Sequence, residues 1–257
     1  VRRVIAYIEK VLAMLEVEVR RIMHDRTELY TRAVQPILWI GVFAPVMEKF
    51  RVVPIPNITY MEFITPGVLV QSITFVSIFY GLNVIWERDL GVLNKLLVAP
   101  VSRSALVIGK ALSAGVRGIF QSLIIVLLAE ILGVRIVINP IYLLLAALLI
   151  VIFCAAFAAL SIFIASLLKT RERFMGIGQA ITMPLFFASN AIYPINLMPN
   201  WLKAVATINP LSYAVEGLRA LMITGDLTTV PLDFLVSFVF VAVTIVIASQ
   251  TFKKIIE

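Results

Sequence analysis

Residues Phe63–Trp86 read FITPGVLVQSITFVSIFYGLNVIW, 24 positions without a formal charge. At 1.5 Å per residue the run makes roughly 36 Å of helix, enough to cross a hydrocarbon core of about 30 Å. Trp86 stands at one end, where interfacial aromatics are favoured. The rest of the chain has the same character. Its 257 residues are 61% hydrophobic and 14% charged, with a mean hydropathy of +1.02, against roughly 45–50% and 25% in soluble domains. Surface of that kind needs lipid as its solvent, so the fold class expected is an all-α integral membrane protein.

Working outward from this run gives six transmembrane helices. Toward the N-terminus, Ala33–Met47 is uncharged but only 15 residues long and contains Pro36 and Pro45. A first span over 31–50 therefore needs Thr31 and Arg32, with Arg32 snorkelling to the headgroups. Ahead of it, residues 1–32 mix charges with Ile5, Ile8, Val11 or Leu12, Leu15 and Val19 at helical spacing, the pattern of an amphipathic interface helix. The Val-Arg-Arg start lacks the apolar core and cleavage site of a signal peptide. The opening run becomes the second span, over 62–86. A third over 105–133 carries Lys110 and Arg117 toward one end and Glu130 at the other. Ile136–Leu168 has 33 uncharged residues, too many for one straight crossing, and Asn139-Pro140 marks a helix start. The fourth span is thus 140–168, the fifth 174–194 and the sixth 233–252, all in one membrane domain over 1–257.

Lysine and arginine set orientation. The N-terminal segment has seven (Arg2, Arg3, Lys10, Arg20, Arg21, Arg26, Arg32), the loop after the second span four (Arg88, Lys95, Arg103, Lys110), the loop after the fourth three (Lys169, Arg171, Arg173) and the tail two (Lys253, Lys254). The opposite loops hold five: Lys49, Arg51, Arg135, Lys203 and Arg219. The first set is expected in the cytoplasm with both termini, in a multi-pass plasma membrane protein. The net charge of +7 then reads as topology and anionic-lipid contact, not nucleic-acid binding.

After the second span comes ERDLGVLNKLLVAPVSR, Glu87–Arg103. Leu90, Leu93 and Leu97 fall on one helical face, Asn94 and Lys95 face away, and Pro100 ends the turn. This is a short amphipathic helix over 87–100, which could simply float on headgroups. Glu87-Arg88, Gly91, Leu93, Leu96 and Pro100-x-Ser102-Arg103, however, resemble the coupling region of type-2 ABC exporter permeases, the drug-exporter-like branch especially. Asn209-Pro210-Leu211-Ser212-Tyr213, followed by Glu216, Gly217, Leu218 and Arg219, resembles that family's segment between the last two spans.

The resemblance implies a permease that works as a homodimer or related heterodimer and exports amphipathic, lipid-like or drug-like molecules. It implies a cytoplasmic ABC ATPase docking on a coupling helix at Glu87, Arg88, Gly91, Leu93, Leu96, Pro100, Ser102 and Arg103. It also implies short re-entrant outer helices over 197–224. The chain has no G-x-x-x-x-G-K-[ST] phosphate loop, so it is expected to bind no cofactor and to be no enzyme by itself, ATP and Mg belonging to the partner.

Polar residues within spans are costly and mark partners or water. Gln71, Thr74 and Ser77 share one face of the second span with Gly67 and Gly81, and Gln179, Thr182, Phe186, Asn190 and Tyr193 form a looser stripe on the fifth. By resemblance these helices line the dimer interface and export path, which makes Gln71, Thr74, Ser77, Gln179, Thr182, Phe186 and Asn190 substrate-path candidates; ordinary packing, in which small and hydroxyl residues let helices approach and bond, is the favoured reading of such residues. Asn209 would cap, and Pro210 start, a helix on which Glu216 and Arg219 pair as a brace beside Tyr213. Arg117 is expected to snorkel or pair, and Glu130 to sit at the outer interface. His24 has no second ligand for a metal or nucleophile site, and Cys154 is filler. Asn57-Ile58-Thr59 fits a glycosylation pattern. The alternative class, a secondary transporter or channel independent of an ATPase, calls for paired intramembrane charges or inverted repeats; a membrane enzyme calls for clustered His, Asp or Ser.

Overall fold

The computed structural model describes residues 27–50, 58–91, 103–168 and 170–252, with single positions 12, 13, 15, 16 and 20. Among these residues the only regular structure is helical. Helix α1 (Thr27–Leu38) passes through a five-residue π-helical turn, Trp39–Phe43, into α2 (Ala44–Phe50). The turn follows Pro36, which has no N–H to give to the ladder, and the Ala44 amide reaches back to the Trp39 carbonyl.

Helix α3 (Tyr60–Asp89) begins with a capping box. Thr59 Oγ1 accepts from the Glu62 amide at 3.1 Å, and Glu62 Oε2 accepts from the Thr59 amide at 2.8 Å. It ends where Gly91 turns left-handed at φ 68°, its amide bonded to the Arg88 carbonyl. Next come α4 (Arg103–Ile131), α5 (Pro140–Leu167), α6 (Arg171–Phe187), a 3-10 turn at Ile195–Leu197, α7 (Asn200–Ile208) and α8 (Pro210–Arg219). A second π turn, Ala220–Thr224, leads to α9 (Val230–Thr251). Asn139 caps α5 by accepting from the Ile141 amide at 2.9 Å.

Helix α5 is the hub, packed against α3, α4 and α9. It approaches closely because its inner face is small: Ala155, Ala156, Ala158, Ala159 and Ser161 are all buried. A Cβ at Gly81 of α3 would collide with Ser161, whose hydroxyl accepts from the Gly81 amide at 2.9 Å and donates to the Ile78 carbonyl. The outer surface is apolar. Leu235, Phe238, Val239, Val243 and Val246 of α9 and Leu123 and Leu127 of α4 are exposed on helices whose cores are already filled, which water would not tolerate over such an area. The chain is a multi-pass membrane protein.

The expected count of six spans is corrected. Among the described residues four helices are long and apolar enough to cross a membrane: α3, α4, α5 and α9. The first expected span is divided by the π turn after Pro36 into α-helical pieces of 12 and 7 residues with 5 π-helical residues between them, and neither α-helical piece is long enough to cross by itself. The fifth is α6, 17 residues that begin on Arg171 and stop at Phe187, beyond which the chain turns. An uncharged run does not reveal where the backbone ladder widens, as after Pro36, or stops, as at Phe187, and the two errors have these causes.

The separate coupling helix is likewise corrected, because α3 continues without a break through Glu87, Arg88 and Asp89. Residues 92–102 of that expectation lie outside the described residues. The interface helix over 1–32 also falls mostly outside them, though positions 12, 13, 15, 16 and 20 are helical. Over 197–224 the structure shows no re-entrant pair. Helix α8 is packed into the bundle through Leu211, Ala214, Val215 and Leu218, whereas α7 leaves Trp201 and Ile208 exposed.

Candidate functional site

At one end of the bundle the charged last turn of α3 ties together three other helix ends. Lys110 of α4 donates to both oxygens of Glu87, at 2.8 and 2.6 Å. Arg88 donates to Asp89 Oδ1 at 3.1–3.2 Å and, through Nη1, to the Leu168 carbonyl at 3.3 Å, where α5 finishes. Arg171, the first residue of α6, donates to Asp89 Oδ2 at 3.1 and 2.9 Å while its guanidinium lies 5.2 Å from the centre of the Trp86 ring. These pairs are partly wet, with the side chains of Lys110 and Glu87 14% and 28% exposed.

Of the sequence-derived contact residues, Glu87, Arg88 and Gly91 are at this end. Leu93, Leu96, Pro100 and Ser102 lie outside the described residues, and Arg103 starts α4. Asp89, Lys110 and Arg171 complete the cluster; the sequence marks Lys110 and Arg171 only as basic residues expected on the cytoplasmic side and does not single out Asp89.

The opposite end is built around Arg219. Its side chain is 7% exposed and fully engaged. Nη1 donates to Glu216 Oε2 at 3.0 Å, Nη2 to the Asn190 carbonyl at 2.8 Å and the Phe63 carbonyl at 3.3 Å, and Nε to the Phe63 carbonyl at 3.4 Å. The guanidinium also covers the Phe63 ring at 3.9 Å. Asn190 donates its amide to Glu216 Oε2.

Asn209 does two tasks. Its carbonyl oxygen caps α8 by accepting from the Leu211 amide at 3.0 Å, while Pro210 takes the first helical position. Its amide donates to the Leu185 and Ala188 carbonyls at 2.7 and 3.1 Å, closing the end of α6. Tyr213 donates to the Thr207 carbonyl at 2.7 Å and Tyr193 to the Phe187 carbonyl. Burial pushes the Tyr193 phenol above its ordinary range. Together α8, the turns around Asn190 and Ile195, and the starts of α3 and α9 line an open cavity of about 490 Å³.

The substrate-path candidates separate into two groups. Gln71, Thr74 and Ser77 are buried inside the protomer, and the two hydroxyls bond back to the Val70 and Ile73 carbonyls of their own helix. Thr182 does the same to Gly178, and Phe186 is buried edge-on to Trp39. Asn190 lines the cavity. Gln179 is exposed, with Met175, Gly176, Ile177 and Ala180, on the face of α6 turned away from α3. Arg117 is buried, its guanidinium 5.6 Å from the Tyr80 ring, and Glu130 is exposed at the far end of α4. Cys154 is buried and free. Among the described residues no group of three or more His, Cys, Asp or Glu could hold a metal; His24 and Asn57 lie outside them.

Residues 9–223 match the family model described as ABC-2 type transporter. The chain is 31% identical over 198 residues to ycf38 of Cyanophora paradoxa, described as a transport permease, which covers 75% of this chain and 67% of that one. It is 28% identical over 167 residues to DrrB1 of Streptomyces coeruleorubidus, a daunorubicin resistance ABC transporter permease protein, covering 63% and 58% of the two. It is 30% identical over 165 residues to YbhR of Escherichia coli (strain K12), described as a multidrug ABC transporter permease, covering 63% and 44%.

Proposed function

This chain belongs to the ABC-2 type transporter family, and on that premise we propose that it is the membrane subunit of an exporter whose ATP is hydrolysed, with Mg, on a separate cytoplasmic ATPase. The chain itself is a transport subunit and not an enzyme. The observation that supports ATPase coupling is the ion cluster at the end of α3. A push on Glu87–Gly91 is carried to α4 through Lys110, to α5 through Arg88 and to α6 through Arg171. Exposed pairs of this kind cost little to break and remake, as a lever driven once per ATP cycle requires.

In this reading the basic end faces the cytoplasm of a plasma membrane, since Arg88, Lys110, Arg171 and Arg173 gather there. The single domain pairs with a second permease copy, identical or related, across the exposed face of α6. The cargo is amphipathic, lipid-like or drug-like, in keeping with a membrane-embedded path and with the multidrug and daunorubicin descriptions of two relatives.

The test is reconstitution. The permease in liposomes should accumulate a fluorescent amphiphile only when its ATPase partner and ATP are present, and the permease alone should hydrolyse no ATP. Accumulation independent of the ATPase, driven by an ion gradient, would sink the reading.

A further inference from the structure

A smaller cavity, of about 250 Å³, opens between α1, α3 and α4. Its lining is Thr31, Gln35, Ser72, Phe75, Phe79 and Gln121, with no residue of α6 or of the Arg219 cluster. Along α3 this lining lies roughly 12 to 22 Å from Glu87, at 1.5 Å per residue. Gln121 is likewise roughly 16 Å along α4 from Lys110. Within a hydrocarbon core of about 30 Å, that is the middle of the bilayer.

Polar groups at such depth are costly unless they are bonded. Elsewhere on α3, Thr74 and Ser77 donate to the Val70 and Ile73 carbonyls of their own helix. The Ser72 hydroxyl makes no such bond, and although the residue is only 8% exposed its oxygen is not closed off. The half-buried Gln35 amide also has no hydrogen-bond partner among the described residues. Gln121 stands behind them, 0% exposed, with both amide atoms unpaired but enclosed, so it is no contact for a ligand. Helices that used these side chains to hold together would pair them. Gln35 and Ser72 are instead unpaired and accessible, placed to bond a molecule that comes from the bilayer.

The lining sets the chemistry of that molecule. A glutamine amide and a serine hydroxyl each donate and accept, and their complement is a group that does both. Among the described residues no charged side chain lines the cavity, and Arg117, one turn before Gln121, lies over the Tyr80 ring instead. A charged group here would have no counterion in low dielectric. Phe75 and Phe79 supply an apolar wall. The volume is below the roughly 300–1,000 Å³ of sites that hold a whole small molecule, so the cavity takes one end of a ligand whose remainder lies in lipid beside the exposed Phe79 ring.

We propose that this cavity binds the uncharged hydroxyl end of a lipophilic molecule entering sideways from the bilayer, with Gln35 and Ser72 as its hydrogen-bond partners. The molecule is either a hydroxylated lipid of the membrane or an exported lipophile. In the second case the inference names a substrate class and rests on the transport function proposed above.

The test uses the full chain in phosphatidylcholine nanodiscs with no ATP or ATPase, so that its failure would leave the transport reading untouched. A long-chain alcohol carrying a diazirine beside its hydroxyl is photolysed in the sample, and the labelled peptides are mapped by mass spectrometry. Label should fall on residues 31–35 or 72–79. The unlabelled alcohol should displace it at a concentration at least about fivefold lower than its methyl ether, which accepts but cannot donate, the scale of one neutral hydrogen bond. The matching primary ammonium should displace it no better than the ether. In the double variant Gln35→Leu, Ser72→Ala the advantage of the alcohol should fall below about twofold.

Absence of label from both segments, or equal displacement by alcohol and ether in the unaltered protein, would overturn the proposal whether or not the variant folds. So would a preference for the ammonium, or an undiminished advantage of the alcohol in a double variant with a native elution profile. Adding diacylglycerol, a lipid with one free hydroxyl, distinguishes the sources. Displacement of the label assigns the site to a membrane lipid, and unchanged labelling assigns it to a free lipophile.

Discussion

The two ends of α3 solve the problem of charge near a membrane in opposite ways. At the Asp89 end, Glu87, Arg88 and Asp89 meet Lys110 and Arg171 in pairs that remain partly exposed and reach three other helices. At the Thr59 end, a single buried Arg219 is bound by two main-chain carbonyls, one carboxylate and an aromatic ring. Exposed pairs contribute about 0–1 kcal/mol each and are screened by salt. A buried cation with all its donors engaged cannot let go without leaving an unsatisfied charge in low dielectric, which costs several kcal/mol. One end is therefore free to rearrange while the other stays fixed, a division suited to a lever that works from one side.

The contrast breaks most visibly at Arg219. Arg219→Leu should destabilise the protein by about 3–5 kcal/mol, since it strands the Phe63 and Asn190 carbonyls and the Glu216 carboxylate. Arg219→Lys should recover little of this, because an ammonium cannot reproduce the fork that joins Glu216 to Asn190. Thermal unfolding in detergent checks both. A loss under about 1 kcal/mol for the leucine variant would show that this end is not locked.

Asn209→Ala comes next, at about 2 kcal/mol, because it removes the α8 cap and leaves the Leu185 and Ala188 carbonyls unpaired. The loss should be nearly independent of salt, unlike anything at the Asp89 end.

A smaller effect sharpens the other side of the comparison. Glu87→Gln and Lys110→Gln should each cost less than about 1 kcal/mol, with a coupling energy near 0.5 kcal/mol in a double-mutant cycle that fades in molar salt. On the proposed function both should nevertheless slow ATP-driven transport well beyond what that loss explains. Transport rates equal to wild type in both would remove the cluster from the coupling route.

These two ends were not equally readable. The Thr59 end is local chemistry: Asn209-Pro210 announces a helix start, and Glu216 and Arg219 are three residues apart, hence on one face. What the sequence could not show is that the guanidinium also reaches Phe63, 156 residues away. The Asp89 end depends on topology. Glu87 and Lys110 are 23 residues apart and Asp89 and Arg171 are 82 apart, distances across which no periodicity carries information. Hydropathy located the cores of α3, α4, α5 and α9, where uncharged runs and unbroken helices coincide. It failed at α1 and α6, because Pro36 with its π turn and the stop at Phe187 are events of the backbone ladder, not of charge.

The finest test of the division lies at Arg171. Its guanidinium makes two hydrogen bonds to Asp89 and stacks over Trp86, but it is 41% exposed, so Arg171→Gln should lower stability by only about 0.5–1 kcal/mol. The change should be local. With its first residue released from Asp89, the N-terminal turn of α6 loses its main tie to α3, while Phe174, buried one turn later, holds the helix in place. Hydrogen exchange should therefore quicken in the first turn of α6 and leave the centre of α3 unaltered. If instead the whole of α3 exchanges faster, or the melting temperature falls as far as in Arg219→Leu, the two ends are locked alike and the lever has no free end.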